Sequence, residues 1–166
     1  MWIKYLLIII LFYLFAILQT SFFIYFTLFG SVPNLIFILF FILIFFSNKN
    51  SYYSAIFFAI LAGLFLDIFS VSNLGISIIV LTAIGLIVKK ILSLLKEQNE
   101  DYPFVYFFVL FLSSLIIYNL LLQNFTIRLN LTFLPEIIYN SIIAILGFWI
   151  CKKFCKQNNV RQKIQN

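Results

Sequence analysis

The sequence contains no histidine, and only 10% of its 166 residues are charged. Without histidine, the commonest general base and the commonest metal ligand are both missing. A soluble domain usually has about 25% charged residues, so this chain has too few charges for a water-exposed surface. At the same time, 64% of the residues are hydrophobic. The composition therefore predicts an integral membrane protein without a soluble catalytic domain.

Cysteine is also scarce, with only Cys151 and Cys155 present. These residues are four positions apart at the end of the last apolar run, whereas a structural zinc site usually has four ligands. We expect two reduced thiols near a cytosolic face, and neither a metal nor a cofactor. Serine and threonine occur without an accompanying base, so no enzymatic activity is expected.

Apolar runs separated by short polar stretches predict one transmembrane domain over residues 1–166, an all-α bundle of about six helices. The first run is longer than the 7–15-residue core of a signal peptide, so we interpret it as a retained helix. The second run is short of the roughly 20 residues that a span needs, which leaves its complete crossing open. The predicted helices are 3–29, 35–46, 55–69, 76–95, 104–122 and 137–151, followed by a short basic tail, 152–166.

Six crossings place nearly all the basic residues on one face of the membrane. That face collects Lys4, Lys49, Lys89, Lys90, Lys96, Lys152, Lys153, Lys156, Arg161 and Lys163, and the opposite face has only Arg128. By the positive-inside rule, both termini are predicted to be cytoplasmic. We expect Lys89 and Lys90 to extend from the end of their helix to the lipid head groups. The net charge of +6 thus orients helices, and no nucleic-acid partner is expected.

Polar residues recur at one depth, near the outer ends of five predicted helices. They are Gln19, Asn34, Asp67, Asn119 and Asn140. Polar side chains inside a membrane are costly and usually face protein or water rather than lipid. We therefore predict that these side chains lie close together.

Asp67 is the only carboxylate within a predicted helix. Ala55, Ala59 and Gly63 precede it at four-residue steps, and such a stripe of small residues lets a second helix approach closely. Buried there, Asp67 could accept hydrogen bonds from Gln19, Asn34, serine or threonine. The alternatives are a carboxylate that ends its helix and reaches interfacial water, or a proton relay.

The order of these residues along the chain resembles the family of the rod shape-determining protein MreD. The resemblance rests on Leu18-Gln19, Val32-Pro33-Asn34-Leu35, Gly63-Leu64 with Asp67, and Leu74-Gly75. It covers about residues 15–90 well, and the remainder through size, hydropathy and number of helices. The family often has an acid after the proline, where this chain has Asn34.

The resemblance implies a component of the bacterial cell-elongation machinery in the inner membrane. Its implied partners are MreC and, through MreC, the actin-like MreB and the peptidoglycan synthases. This is an assembly role without a reaction. The residues expected to act in helix packing or partner docking are Gln19, Pro33, Asn34, Ala59, Gly63, Asp67 and Gly75.

A second interpretation is the substrate-binding subunit of an energy-coupling-factor vitamin transporter, which is also small and six-helical. Fold alone does not separate the two. A vitamin binder needs a large pocket at the outer face, with several aromatic and polar contacts converging on one ligand. The few polar groups, mostly amides, favour the scaffold.

Overall fold

The computed structural model describes residues 2–27, 30–47, 51–69, 74–95, 103–122 and 133–165. These ranges contain no β-strand, and all their helical segments except the second are long and apolar enough to cross a bilayer. The predicted class, an all-α membrane protein of about six helices, is confirmed. The helices are α1 (Trp2–Ile17), α2 (Leu35–Phe46), α3 (Tyr52–Phe69), α4 (Ile76–Leu95), α5 (Pro103–Leu122) and α6 (Phe133–Gln165).

Helix α2 lies at the centre of the bundle. Around it, α1 packs on α3, α3 on α4, α4 on α5 and α5 on α6. The ring closes where Phe23, just beyond α1, meets Tyr139 of α6 at a centroid distance of 6.2 Å. Helix α2 is apolar throughout, and nine of its twelve residues are buried. A helix that is hydrophobic all round has no preferred outward side, and here it is enclosed by the other helices.

Consecutive helices run in opposite directions, which gives the bundle two ends. One end contains Asp67 at the end of α3 and the first turns of α2, α4 and α6, and we refer to it as the Asp67 end. The other contains the end of α2 and Lys89 of α4, and we refer to it as the Lys89 end. The start of α1 belongs to the Lys89 end, since Tyr5 packs on Phe57 of α3 at 5.1 Å.

The predicted first helix, 3–29, is a single candidate membrane span in the structure, but its helical geometry changes along its length and ends at Tyr25; residues 28–29 lie outside the described residues. The α-helix ends at Ile17, a π-helical turn covers Leu18–Phe22, and a 3₁₀ turn covers Phe23–Tyr25. The hydroxyl of Thr20 donates to the carbonyl oxygens of Ala16 at 3.0 Å and Ile17 at 3.4 Å. Such bonds from a side chain to the preceding turn compete with regular helical bonding and bend helices.

The predicted bounds of the sixth helix, 137–151, were wrong. Helix α6 begins at Phe133 and continues to Gln165, so most of the predicted tail is helical. Pro135 is tolerated because the first turn has no intrahelical use for its missing N–H, and Glu136 suits the positive end of the helix dipole. After Cys151 the sequence has no glycine or proline, and its lysines, glutamines and arginine are good helix formers.

Helix α3 begins at Tyr52, three residues before its predicted start at Ala55. Ser51 lies directly before it, and its hydroxyl oxygen accepts a hydrogen bond from the backbone N–H of Ser54 at 3.4 Å. This is the geometry of a serine N-cap, which satisfies one of the unpaired donors of the first turn.

Candidate functional site

The first turn of α2 is capped by three amide side chains at the Asp67 end. The side-chain oxygen of Asn34 accepts from the backbone N–H of Phe37 at 3.0 Å. The backbone N–H of Asn34 donates to Oδ1 of Asn140 at 2.7 Å, and that of Ile36 to Oε1 of Gln19 at 3.4 Å. Because a helix start leaves several N–H groups without intrahelical partners, Gln19 of the π-helical turn after α1 and Asn140 of α6 help to hold α2 in the centre.

Pro33 is buried next to this cap, and its carbonyl oxygen accepts from the N–H of Leu35 at 3.1 Å. Proline restricts the residue before it to an extended conformation, so the chain enters α2 by a sharp turn. Both hydrogen-bonding groups of Asn34 are thus used within the protein: its side-chain oxygen caps α2, and its backbone N–H donates to Asn140 of α6.

Asp67 performs the same task for α4. Its two carboxylate oxygens accept the backbone N–H groups of Gly75 at 2.6 Å and Ser77 at 3.2 Å. Gly75 has φ of 100°, a left-handed conformation that other residues rarely adopt. The carboxylate thus closes the turn between α3 and α4 and lies at the positive end of the α4 dipole.

Two expectations for Asp67 need correction. Its hydrogen-bond donors are backbone N–H groups of the α4 start, whereas Gln19 and Asn34 serve α2. The alternative of a carboxylate in interfacial water also fails, because only 3% of Asp67 is exposed. A carboxylate buried this completely is stabilised by the N–H groups that it accepts.

Gly63 lies where α3 and α4 approach most closely. A Cβ at this position would come within 2.5 Å of Cα and 2.6 Å of the backbone nitrogen of Ile78. Ala55 and Ala59, on the same face, are fully buried or nearly so. The small residues thus allow backbone-to-backbone packing, which positions the Asp67 carboxylate over the start of α4.

Sequence reasoning missed Tyr118, Ser77 and Glu136, which complete the polar cluster. The buried Tyr118 side chain lies beside the side chains of Ser77 and Asn34, close to Asp67 and Glu136. Nδ2 of Asn119 donates to Oε1 of Glu136 at 3.2 Å. Pro135 and Glu136 could have indicated a helix start, since both residue types favour the first turn.

Polar groups from the ends of several helices thus lie at the Asp67 end and make contacts there. We refer to the set as the outer polar cluster, and it comprises Gln19, Asn34, Asp67, Ser77, Tyr118, Asn119, Glu136 and Asn140. Its hydrogen bonds run mostly between neighbouring helices or to helix ends. Within the part of the chain that the structure describes, the buried Nδ2 of Asn140 has no partner.

At the Lys89 end, the Lys89 side chain binds the end of α2. It was expected to extend to the lipid head groups, and that expectation was wrong. Lys89 is fully buried, and its ammonium donates to Oγ of Ser47 at 2.6 Å and to the carbonyl oxygen of Ser47 at 3.3 Å. A cation is favourable where the carbonyl groups at a helix end lack partners. Lys90, the next residue of α4, is exposed, as expected of both lysines.

Two cavities lie at the Lys89 end, away from the outer polar cluster. One, of about 710 Å³, is lined by the N-terminal halves of α1 and α3, including Tyr5, Ile9, Tyr53 and Phe57. The other, of about 580 Å³, is lined by residues of α6 near Trp149. Several polar groups of the cluster bind backbone N–H groups at helix starts. None of the cluster residues lines either of these two cavities.

The family model of the rod shape-determining protein MreD matches residues 2–158. The chain belongs to the MreD family. The match covers α1 to α5, most of α6 and the whole outer polar cluster, and so extends well beyond the stretch 15–90 on which the sequence resemblance rests. Searches of curated proteins and of solved structures found no match. Membership in the MreD family implies a role in determining rod shape, and the family is one of structural membrane proteins.

Proposed function

We propose that the protein is a non-enzymatic scaffold of the cell-elongation machinery in the bacterial inner membrane. In this role it binds MreC and, through MreC, links MreB with the peptidoglycan synthases. The observation that carries the proposal is the MreD match over residues 2–158. The role needs no reaction, cofactor or metal, only a stable set of outward helix faces.

The outer polar cluster supports this role by holding the helices in fixed relative positions. Gln19, Asn34 and Asp67 cap the starts of α2 and α4, where unpaired N–H groups would otherwise be costly in a membrane. Pro33, Ala59, Gly63 and Gly75 permit the turns and close contacts that these caps require. We infer that their part in docking is indirect, because they shape the bundle whose surface meets the partner.

The vitamin-transporter interpretation is less well supported. It requires polar and aromatic side chains converging on a ligand pocket at the outer face. At the Asp67 end, amide and carboxylate groups instead bond to backbone N–H groups and to one another. We therefore retain the scaffold as the single proposed function.

An affinity purification tests the proposal. The tagged protein is extracted in mild detergent, and co-purifying proteins are identified by mass spectrometry. Recovery of MreC together with a peptidoglycan synthase is expected. Recovery of a transporter ATPase pair, or of a bound vitamin, would contradict the scaffold and point to the alternative.

Two variants connect the assay to the structure. Asp67→Ala should weaken recovery of MreC, and Gly63→Leu should weaken it more, because the larger side chain forces α3 away from the backbone of Ile78. Ile79→Leu, a change at an exposed position of α4, serves as the control. Unchanged recovery with both cluster variants would show that partner docking does not depend on this part of the bundle.

A further inference from the structure

The cavity on α6 combines apolar and cationic surface. Its volume is about 580 Å³, and its lining residues are Trp149, Ile150, Lys152 and Lys153. It lies next to Phe148, whose ring packs on Phe46 of α2 at 5.6 Å, and therefore at the Lys89 end. Trp149 and Ile150 are each more than half exposed, so the apolar wall faces outward from the bundle.

The apolar part and the cationic part of this surface follow one another along α6. Trp149 and Ile150 precede the lysines and belong to the segment Phe133–Phe154, which is apolar and long enough to span a bilayer. The lysines follow at the end of that segment, where a membrane helix enters the head-group layer. An occupant of the cavity therefore meets hydrocarbon-facing surface on one side and ammonium groups on the other.

The ammonium of Lys152 is held at the aromatic edge of the cavity. Its Nζ lies 5.7 Å from the ring centroid of Trp149 and 5.9 Å from that of Phe148. These are cation–π distances, and they keep the charge beside the apolar wall. The carboxylates in the described part of the chain, Asp67 and Glu136, belong to the outer polar cluster at the other end. Among the residues that the structure describes, the charged groups lining the cavity are the two lysines.

We propose that this surface, formed by Trp149, Ile150, Lys152 and Lys153, binds an anionic phospholipid. The phosphate lies between the two ammonium groups, and an acyl chain packs against Trp149 and Ile150. A soluble phosphate would satisfy the charges and leave the apolar wall uncovered, whereas a phospholipid matches both halves. The inference goes beyond the scaffold function, because it gives the protein a lipid ligand and makes occupation of this site depend on the anionic lipid content of the membrane.

Fluorescence of Trp149 provides a direct test. The sequence has two tryptophans, so Trp2→Phe leaves Trp149 as the sole reporter. This full-length variant is reconstituted into phosphatidylcholine bilayers that contain increasing fractions of brominated phosphatidylglycerol, which quenches tryptophan on contact. Brominated phosphatidylcholine serves as the reference. We expect phosphatidylglycerol to bind roughly fivefold more strongly than phosphatidylcholine at this site, about the effect of one lysine near an anionic lipid.

Substitutions then identify the side chains responsible. In the Trp2→Phe background, Lys152→Gln combined with Lys153→Gln should bring the ratio of phosphatidylglycerol binding to phosphatidylcholine binding close to one. Lys90→Gln, at an exposed lysine of α4, should leave it unchanged. Lys153→Gln alone, which keeps the cation–π contacts of Lys152, should lower it partly. Circular dichroism verifies that each variant retains its helices.

Three outcomes would overturn the proposal. Equal quenching by the two brominated lipids in the Trp2→Phe protein would show that the lysines do not select an anionic lipid. A preference that survives in the double lysine variant would place the selection elsewhere. Relief of quenching by millimolar inorganic phosphate would mean that a soluble anion, and not a lipid, is the ligand.

Discussion

Asp67 shows how one carboxylate can determine a turn inside a membrane protein. Both of its oxygens accept backbone N–H groups of the α4 start, and its side chain is nearly inaccessible. Hydrogen bonds to charged groups contribute about 1.5–3 kcal/mol each, and buried N–H groups without partners are costly. At the residue scale, the predicted importance of Asp67 thus has a concrete cause, although its partners differ from those expected.

We predict that Asp67→Ala lowers the free energy of unfolding by about 2–4 kcal/mol, because both N–H groups lose their acceptor. Asp67→Asn should lower it less, since the amide retains one oxygen. The measurement is reversible unfolding by sodium dodecyl sulfate in mixed micelles, followed by circular dichroism. An alanine variant as stable as the parent would refute the capping role.

Lys89 carries the second prediction at this scale. Lys89→Met keeps most of the side-chain volume and removes the ammonium that binds Ser47, so the end of α2 loses its partner. We expect a loss of about 1–3 kcal/mol in the same unfolding assay. Lys90→Met, at the neighbouring exposed lysine, is the matched control and should leave stability close to that of the parent. Equal effects of the two variants would contradict the assignment.

At the scale of elements, α3 and α4 pack backbone to backbone at Gly63. A Cβ there meets Cα of Ile78 at 2.5 Å, and a backbone atom can move only if the whole helix moves. At Gly147 a Cβ meets Cδ1 of Ile42 at the same 2.5 Å, but this is the flexible end of a side chain. The same distance therefore has different consequences at the two glycines.

Gly63→Ala should consequently destabilise the protein by about 1–3 kcal/mol through overpacking, and Gly147→Ala clearly less. The two variants are compared in one unfolding assay, so that the general preference of helices for alanine over glycine affects both alike. A Gly147→Ala variant as unstable as Gly63→Ala would mean that the α3–α4 contact is not specially close.

Helix α2 shows what an element's sequence can and cannot indicate. Asn34 and the polar stretch from Ser47 mark its ends, and the predicted range 35–46 equals the observed one. Its central position was not predictable, because a helix that is apolar on every side gives no direction for its neighbours. A length of about 18 Å, at 1.5 Å per residue, is well short of a bilayer core of about 30 Å.

At the scale of the whole molecule, the alternation of helices places the start of α1 and the end of α6 at the Lys89 end. The orientation of this end in the membrane remains a prediction from the basic residues of the sequence. We expect a green fluorescent protein fused to either terminus to fluoresce, as it does in the cytoplasm. Alkaline phosphatase inserted within residues 123–132 should be active, as it is in the periplasm.

Fusions on both sides of α2 test the short helix separately. Phosphatase activity after residue 30 and its absence after residue 49 are expected if α2 connects the two membrane faces. The same fusion placed after residue 122, which should lie on the outer face, provides the positive control. Activity at both positions around α2 would show that this helix does not cross.

The sequence by itself determined the membrane class, the approximate helices and the depth of the polar residues. The bilayer requires long apolar runs within its hydrocarbon core and favours lysines on its cytoplasmic side. Both features can be read directly from the sequence. The set Gln19, Asn34, Asp67, Asn119 and Asn140 was identified for the same reason. Each is a polar residue near the end of an apolar run.

Only the tertiary structure decided which of these groups meet and what they bind. Asp67 bonds to the start of its own neighbouring helix, Asn34 to Asn140 across more than a hundred residues, and Lys89 to Ser47 instead of lipid. These pairings depend on the packing of apolar helices, whose rotation is set by shape at contacts such as Gly63 on Ile78. Hydropathy is nearly uniform around such helices, so the sequence pattern contains little information about their rotation.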